Sequence, residues 1–198
     1  MNENSIDNFF PNYNSYMSTR QNRVGGGVTI YVNKQLKSSL IHELTSNTEH
    51  IESVFINISC SNKKILIGTI YRPPNSNIDN FCNFFSANLM PLITIYTNIT
   101  ICGDFNLDLL NLHDSAPSSS FYNLVNTMSL LPTIRKPTRI TDSSCTLIDN
   151  ILTNYFEDFV AGIMTIDLTD HLPTFIIFKN YFVNTRQTPK QITYRLEN

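Results

Sequence analysis

Apolar and polar-capable residues alternate through Val28-Thr29-Ile30-Tyr31-Val32, and again from Ile51 to Ile58, where Val54, Ile56 and Ile58 share one face. Lys64 to Tyr71 is a nearly continuous run of β-favouring residues. Three successive strands are expected. Pro73-Pro74 stops the third, because proline has no N–H to give to a ladder, and Asn75-Ser76-Asn77 prolongs the loop. The period then changes: Phe81, Phe84, Phe85, Leu89 and Leu92 recur at three- and four-residue intervals, which predicts a helix whose far end is marked by Pro91. Ile99 to Cys102 reads as a short buried strand, and Phe121 to Leu131 as a second amphipathic helix ending before Pro132. The last third returns to strands at Leu147 to Leu152, Val160 to Ile166 and Pro173 to Phe178.

Flanking segments lack this patterning. Residues 1 to 24 are polar and rich in Asn, Ser and Tyr, and they run into Gly25-Gly26-Gly27, so residues 1–27 read as a lead-in loop. Beyond Phe178 the periodicity fades. Residues 179–198, with Arg186, Pro189, Lys190 and Arg195, read as a polar linker or tail. The 198 residues suit one domain, and 13 Phe and 9 Tyr supply a core. A net charge of −2 lacks the basic excess of a protein that holds nucleic acid chiefly by neutralising phosphates, although Arg135, Lys136 and Arg139 lie close together. No signal-peptide pattern opens the chain and no apolar run spans a bilayer, so no membrane partner is expected. The expected location is intracellular, compatible with access to the nucleus. Cys60, Cys82, Cys102 and Cys145 show no zinc-site spacing and read as reduced thiols.

Three places carry candidate chemistry. Gly103-Asp104-Phe105-Asn106 follows a buried strand, so a carboxylate and an amide emerge at a strand's C-terminal end, where α/β folds place ligands. The same four residues are also ordinary turn chemistry. Asp149 interrupts the apolar Leu147 to Leu152 run, where an ionised carboxylate needs a partner or a metal unless it faces solvent. Asp170-His171 lies between two strands, and histidine is suited to holding or releasing a proton near neutral pH. Each is a polar interruption at the end of an apolar strand.

Together these residues resemble the endonuclease/exonuclease/phosphatase family, and more closely the endonuclease domains of non-LTR (LINE-type) retrotransposons. The resemblance rests on six motifs in order: Gly25-Gly26-Gly27-Val28 with Tyr31, Thr69-Ile70-Tyr71-Arg72-Pro73-Pro74, Gly103-Asp104-Phe105-Asn106, Pro137-Thr138-Arg139, Thr146-Leu147-Ile148-Asp149-Asn150-Ile151 and Asp167-Leu168-Thr169-Asp170-His171-Leu172-Pro173. It covers residues 11–178 and implies an α/β sandwich of two mainly antiparallel sheets flanked by helices, lacking its first strands.

The resemblance also implies roles. Asp104 would orient or deprotonate the attacking water, Asn106 and Tyr71 would touch the phosphate, and His171 would stabilise the developing charge with Asp149 fixing its imidazole. Asp170 would serve the metal side, and Arg72, Arg139 and Thr169 would bind substrate. The implied cofactor is Mg2+, with Mn2+ as an alternative, and the implied partner is target DNA. Two departures stand out. The family's opening strands, bearing an Asn and a metal-binding Glu, have no counterpart, and Glu3 lies in a polar segment with no strand before it. Thr169 replaces a more usual Ser. A truncated start and impaired nicking are therefore expected, and Tyr194-Arg195 resembles the start of a connector towards a reverse transcriptase region. A phosphoesterase for small phosphate esters and a non-catalytic fragment or binding module are the alternatives.

Overall fold

The longest β-favouring run becomes the spine of the structure. The computed structural model describes residues 10–19, 26–60, 63–166 and 169–179. Strands β1 (Tyr13–Ser18), β2 (Val28–Asn33), β3 (Lys37–Leu40), β4 (Ser46–Asn47), β5 (Glu52–Cys60) and β6 (Lys63–Tyr71) lead to helix α1 (Ile78–Phe84). Strand β7 (Asn98–Asp104) precedes helix α2 (Ala116–Thr127), followed by the short β8 (Leu131–Pro132), β9 (Arg139–Ile140) and β10 (Cys145–Thr146). β11 (Asp149–Thr153), β12 (Phe159–Ile163) and β13 (Thr174–Phe178) complete the described order.

The main sheet runs β3-β5-β6-β7-β11-β8, with β4 also paired to β5. Every pairing in it is antiparallel except β6 with β7, which α1 connects as a crossover. Successive strand residues point to opposite faces, so one sheet serves two cores. Phe55, Leu66, Ile70, Ile99 and Ile101 face the helices and pack with Phe81, Phe85 and Phe121. Val54 and Ile56 face the other way, against Val32 of β2.

That second layer is two separate hairpins, β1–β2 and β12–β13. Between them Ile65, Ile67 and Thr100 line an apolar cleft of about 230 Å³, with Leu36 and Phe178 also at its wall. The strands at Leu147 to Leu152, Val160 to Ile166 and Pro173 to Phe178 appear with shifted ends. The helix expected from Phe81 to Leu92 begins at Ile78, where the Asn77 side chain accepts from the Asn80 N–H at 3.0 Å. It continues through a π-type turn at Phe85–Leu89 into a 3-10 turn at Met90–Leu92 that holds Pro91. The second helix begins earlier than expected, capped by Ser115 with Pro117 in its first turn, and ends where Ser129 turns left-handed at φ 55°.

The expected lead-in loop needs correction, because Tyr13–Ser18 is a strand paired residue by residue with β2. Its polar residues are satisfied by that ladder and by bonds such as Tyr16 Oη to Ser38 Oγ at 2.9 Å. Glu3, Gly25, Asp167 and Leu168, and the tail from residue 180, lie outside the described residues. No helix among the described residues is long and apolar enough to cross a membrane.

Candidate active site

Four strand ends meet along one margin of the main sheet. Glu52 opens β5 opposite Tyr71 at the end of β6, Tyr71 pairs with Asp104 at the end of β7, and Asp104 pairs with Asp149 at the start of β11. Strand register alone therefore sets the Asp104 and Asp149 carboxylates side by side. His171 is brought to them by the chain leading into β13. Its backbone bridges Arg139, while the Ile140 N–H donates to the Asp170 carbonyl at 2.8 Å and the Leu172 N–H to the Thr138 carbonyl at 2.6 Å.

Thr138, fully buried, joins the two halves: its hydroxyl accepts from the Asp149 N–H at 3.0 Å while its carbonyl holds Leu172. The sequence flagged its motif but placed the role on Arg139. Thr169 folds back on the same turn, its hydroxyl 3.1 Å from both the N–H and the carbonyl of His171. It shapes the histidine's backbone.

His171 Nδ1 lies 3.0 and 3.2 Å from the two Asp149 carboxylate oxygens. With Nδ1–H donating there, Nε2 is the ring nitrogen left for a substrate. The Asp104 carboxylate accepts the Asn106 N–H at 3.0 Å. Burial, with a smaller push from neighbouring Asp149, raises its pKa above the ordinary aspartate value, against lowering by the Asn106 N–H, His171 and Arg139. Such a carboxylate takes up a proton more readily than an exposed one.

Asn106 sits at φ 47°, a left-handed position that asparagine tolerates better than most residues. Its side-chain amide donates to the Arg72 carbonyl at 2.8 Å. The expected substrate role of Arg72 is not what its placement offers: it is 5% exposed and its guanidinium donates to backbone carbonyls beneath the loop. Tyr71 stands beside Asp104 on the next strand but outside the cleft lining.

Asp104, Asp149 and His171 open into a cleft of about 350 Å³ with Thr69, Cys102, Gly103, Leu172, Pro173 and Thr174. One donor atom from each of the three lies within 4.8 Å of the others. Two carboxylate oxygens and one imidazole nitrogen at this spacing could hold a divalent metal ion. Asp170, expected on the metal side, stands outside this group, with Oδ2 accepting from Arg139 Nε at 2.8 Å. That bond holds the Asp170 carboxyl below its usual range and raises the Arg139 guanidinium.

Glu52 was missed by sequence reasoning. It is fully buried at the neighbouring strand end and accepts the Gly27 N–H at 2.7 Å, where Gly27 has φ 110°. The signal was an acidic residue opening an apolar strand next to a glycine run elsewhere. The bond fastens the start of β2 to β5 at the margin that carries the site.

No protein-family model matches the chain, and no curated protein sequence matches it. Solved structures do. The endonuclease domain of TRAS1, a telomere-specific non-LTR retrotransposon, is 15% identical with a TM-score of 0.67, covering 84% of this chain and 80% of that one. The 3′ phosphatase NExo from Neisseria, bound to product DNA hairpin, is 14% identical with a TM-score of 0.60 over 89% and 84% of the two chains. An endonuclease/exonuclease/phosphatase family protein from Bacteroides thetaiotaomicron is 12% identical, with a TM-score of 0.55 over 87% and 78%. At these identities the likeness is one of fold.

Proposed function

We propose that this chain, which has the endonuclease/exonuclease/phosphatase fold, is a divalent-metal-dependent phosphodiester hydrolase that nicks DNA, as the retrotransposon endonuclease resemblance implies. The observation that carries the reading is the Asp149–His171 pair at 3.0 Å, facing Asp104 across one cleft.

Each side chain then has a task. Asp104, raised in pKa, orients the attacking water and accepts its proton. Asp149 accepts from His171 Nδ1–H and orients the ring, so that in its imidazolium form Nε2–H donates towards a non-bridging phosphate oxygen as charge builds. Asn106 keeps one amide hydrogen for the phosphate while the other is bonded to Arg72. Arg139, exposed at the rim, attracts the DNA backbone. Asp104 and Asp149 are the carboxylates that would hold Mg2+ or Mn2+, which when bound neutralises phosphate charge, while His171 is kept for the phosphate.

Turnover is expected to be weak. No glutamate joins the three-residue group among the described residues, and Glu52 at the next strand end is bonded to Gly27. Conversion of supercoiled plasmid to open circles in Mg2+ or Mn2+ tests the reading, with loss in Asp104→Ala and His171→Ala expected. Phosphate release from a soluble phosphomonoester without nicking would move the substrate to small esters. Absence of both activities, and of Mn2+ binding, would make the chain a non-catalytic binding module.

A further inference from the structure

Arg72 is an unusual use of a charged side chain. It lies just past the end of β6, 5% exposed, and no carboxylate forms an ion pair with it among the described residues. Instead Nη2 donates to the Ser76 carbonyl at 2.7 Å, and Nη1 lies 3.3 Å from the Asn106 carbonyl and 3.5 Å from that of Phe105. The guanidinium carbon stands 5.8 Å from the centre of the Phe81 ring, and the buried Nε has no acceptor. Burying a cation this way is costly unless the surroundings need it.

The partners are not arbitrary. Phe105 and Asn106 follow Asp104 directly, so the guanidinium grips the backbone of the loop that carries the reactive carboxylate. The grip is mutual: the Asn106 amide donates to the Arg72 carbonyl at 2.8 Å, and the Arg72 N–H donates to the Asp104 carbonyl at 2.9 Å. Four bonds between residue 72 and residues 104 to 106 thus fix a loop whose Asn106 is left-handed. Lysine has no planar fork with which to reach three carbonyls at once.

We propose that Arg72 is a positioning residue, whose buried guanidinium holds the Asp104–Asn106 loop so that the water-orienting carboxylate and the phosphate-facing amide stay preorganised. Burial lowers its pKa, opposed first by neighbouring Cys82 and then by Asp104. Hydrophobic packing alone would have served a purely structural corner. The role rests on the phosphodiesterase reading, which gives Asp104 and Asn106 their tasks.

Arg72→Met and Arg72→Lys test it against Met128→Ala, a core change at α2's far end that lies outside the hydrogen bonds between Arg72 and the loop. Below all melting points, kcat for plasmid nicking should fall about 10- to 100-fold in Arg72→Met with KM within about twofold, as expected of misplacement by roughly an ångström. Arg72→Lys should recover only part of the loss, and Met128→Ala should keep kcat. Side-chain amide exchange of Asn106, read by NMR, should accelerate at least about tenfold in Arg72→Met and stay unchanged in Met128→Ala. Equal kcat losses in Arg72→Met and Met128→Ala, or unchanged Asn106 exchange in Arg72→Met, would overturn the proposal. If the unmodified chain does not nick DNA, the phosphodiesterase reading fails, and the exchange comparison still decides whether Arg72 holds the loop.

Discussion

Gly103 offers a sharp test of how the two central strands set the site. It faces Ile70 in the parallel β6–β7 ladder, one residue before Asp104. A methyl group placed there would lie 2.0 Å from the Ile70 carbonyl oxygen and 2.9 Å from its carbon, where real contacts essentially never fall under 3.0 Å. The obstacle is backbone, so no rotamer change relieves it. In Gly103→Ala the strands must part by about 1 Å at the point where Asp104 leaves the sheet. Overpacking of this kind costs about 1–3 kcal/mol, which in a chain of this size lowers Tm by roughly 2–12 °C. A displacement of about 1 Å at a reacting group costs on the order of 100-fold in rate. Circular dichroism melting and plasmid nicking at a temperature where both proteins are folded read the two effects separately. Gly162→Ala is the control: its methyl would meet the Phe175 ring at 3.2 Å, a side chain that can yield, so nicking should be unchanged. Gly103→Ala that melts and nicks like the unmodified chain would refute the reasoning.

Three other outcomes follow from the same geometry. Asp104 has a folded-state pKa above its ordinary value of 3.8, so its ionisation costs stability as pH rises through that raised value. Asp104→Asn should therefore melt above the unmodified chain at pH 7, with the gap closing near pH 4; a gap independent of pH would contradict the burial argument. Phe81 is fully buried between Phe85 and Phe121, with ring centres 5.1 and 5.4 Å away, so Phe81→Ala should lose about 3–5 kcal/mol in urea unfolding. Cys102 is half-buried in the cleft wall and desolvation pushes its thiol up to about 11, whereas Cys145 is exposed. Alkylation at pH 8 followed by peptide mapping should label Cys145 first, and equal labelling of Cys102 in the folded chain would be incompatible with this packing.

The main sheet was legible where a strand carries its own pattern. Alternation in Val28 to Val32 and the β-rich Lys64 to Tyr71 became β2 and β6 almost unchanged, because each buries one face against a core. Tyr13–Ser18 was not legible, since YNSYMS is only half-buried and is held by its ladder to β2 rather than by apolar content. Asp104, Asp149 and His171 were readable as polar interruptions of apolar runs, and the fold brings all three into one cleft. The role of Arg72 was not, because a basic residue beside a motif looks the same whether it meets a phosphate or three backbone carbonyls. Glu52 and Thr138 act through bonds to Gly27 and to Asp149, partners 25 and 11 residues away that no local pattern announces.

The meeting of four strand ends has a kinetic meaning as well. Asp104 and Asp149 are 45 positions apart in a register pair, Asp149 and His171 are 22 apart, and Arg72 reaches Asn106 across 34. Each contact closes a long loop, and closure of such loops is the slow, entropically opposed part of folding. No fragment that has formed only α1 or a single hairpin contains any two of the reacting groups in register. The assembled cleft is therefore among the last features to form as the chain folds, which would make the proposed nicking activity a more sensitive gauge of the native state than helix content.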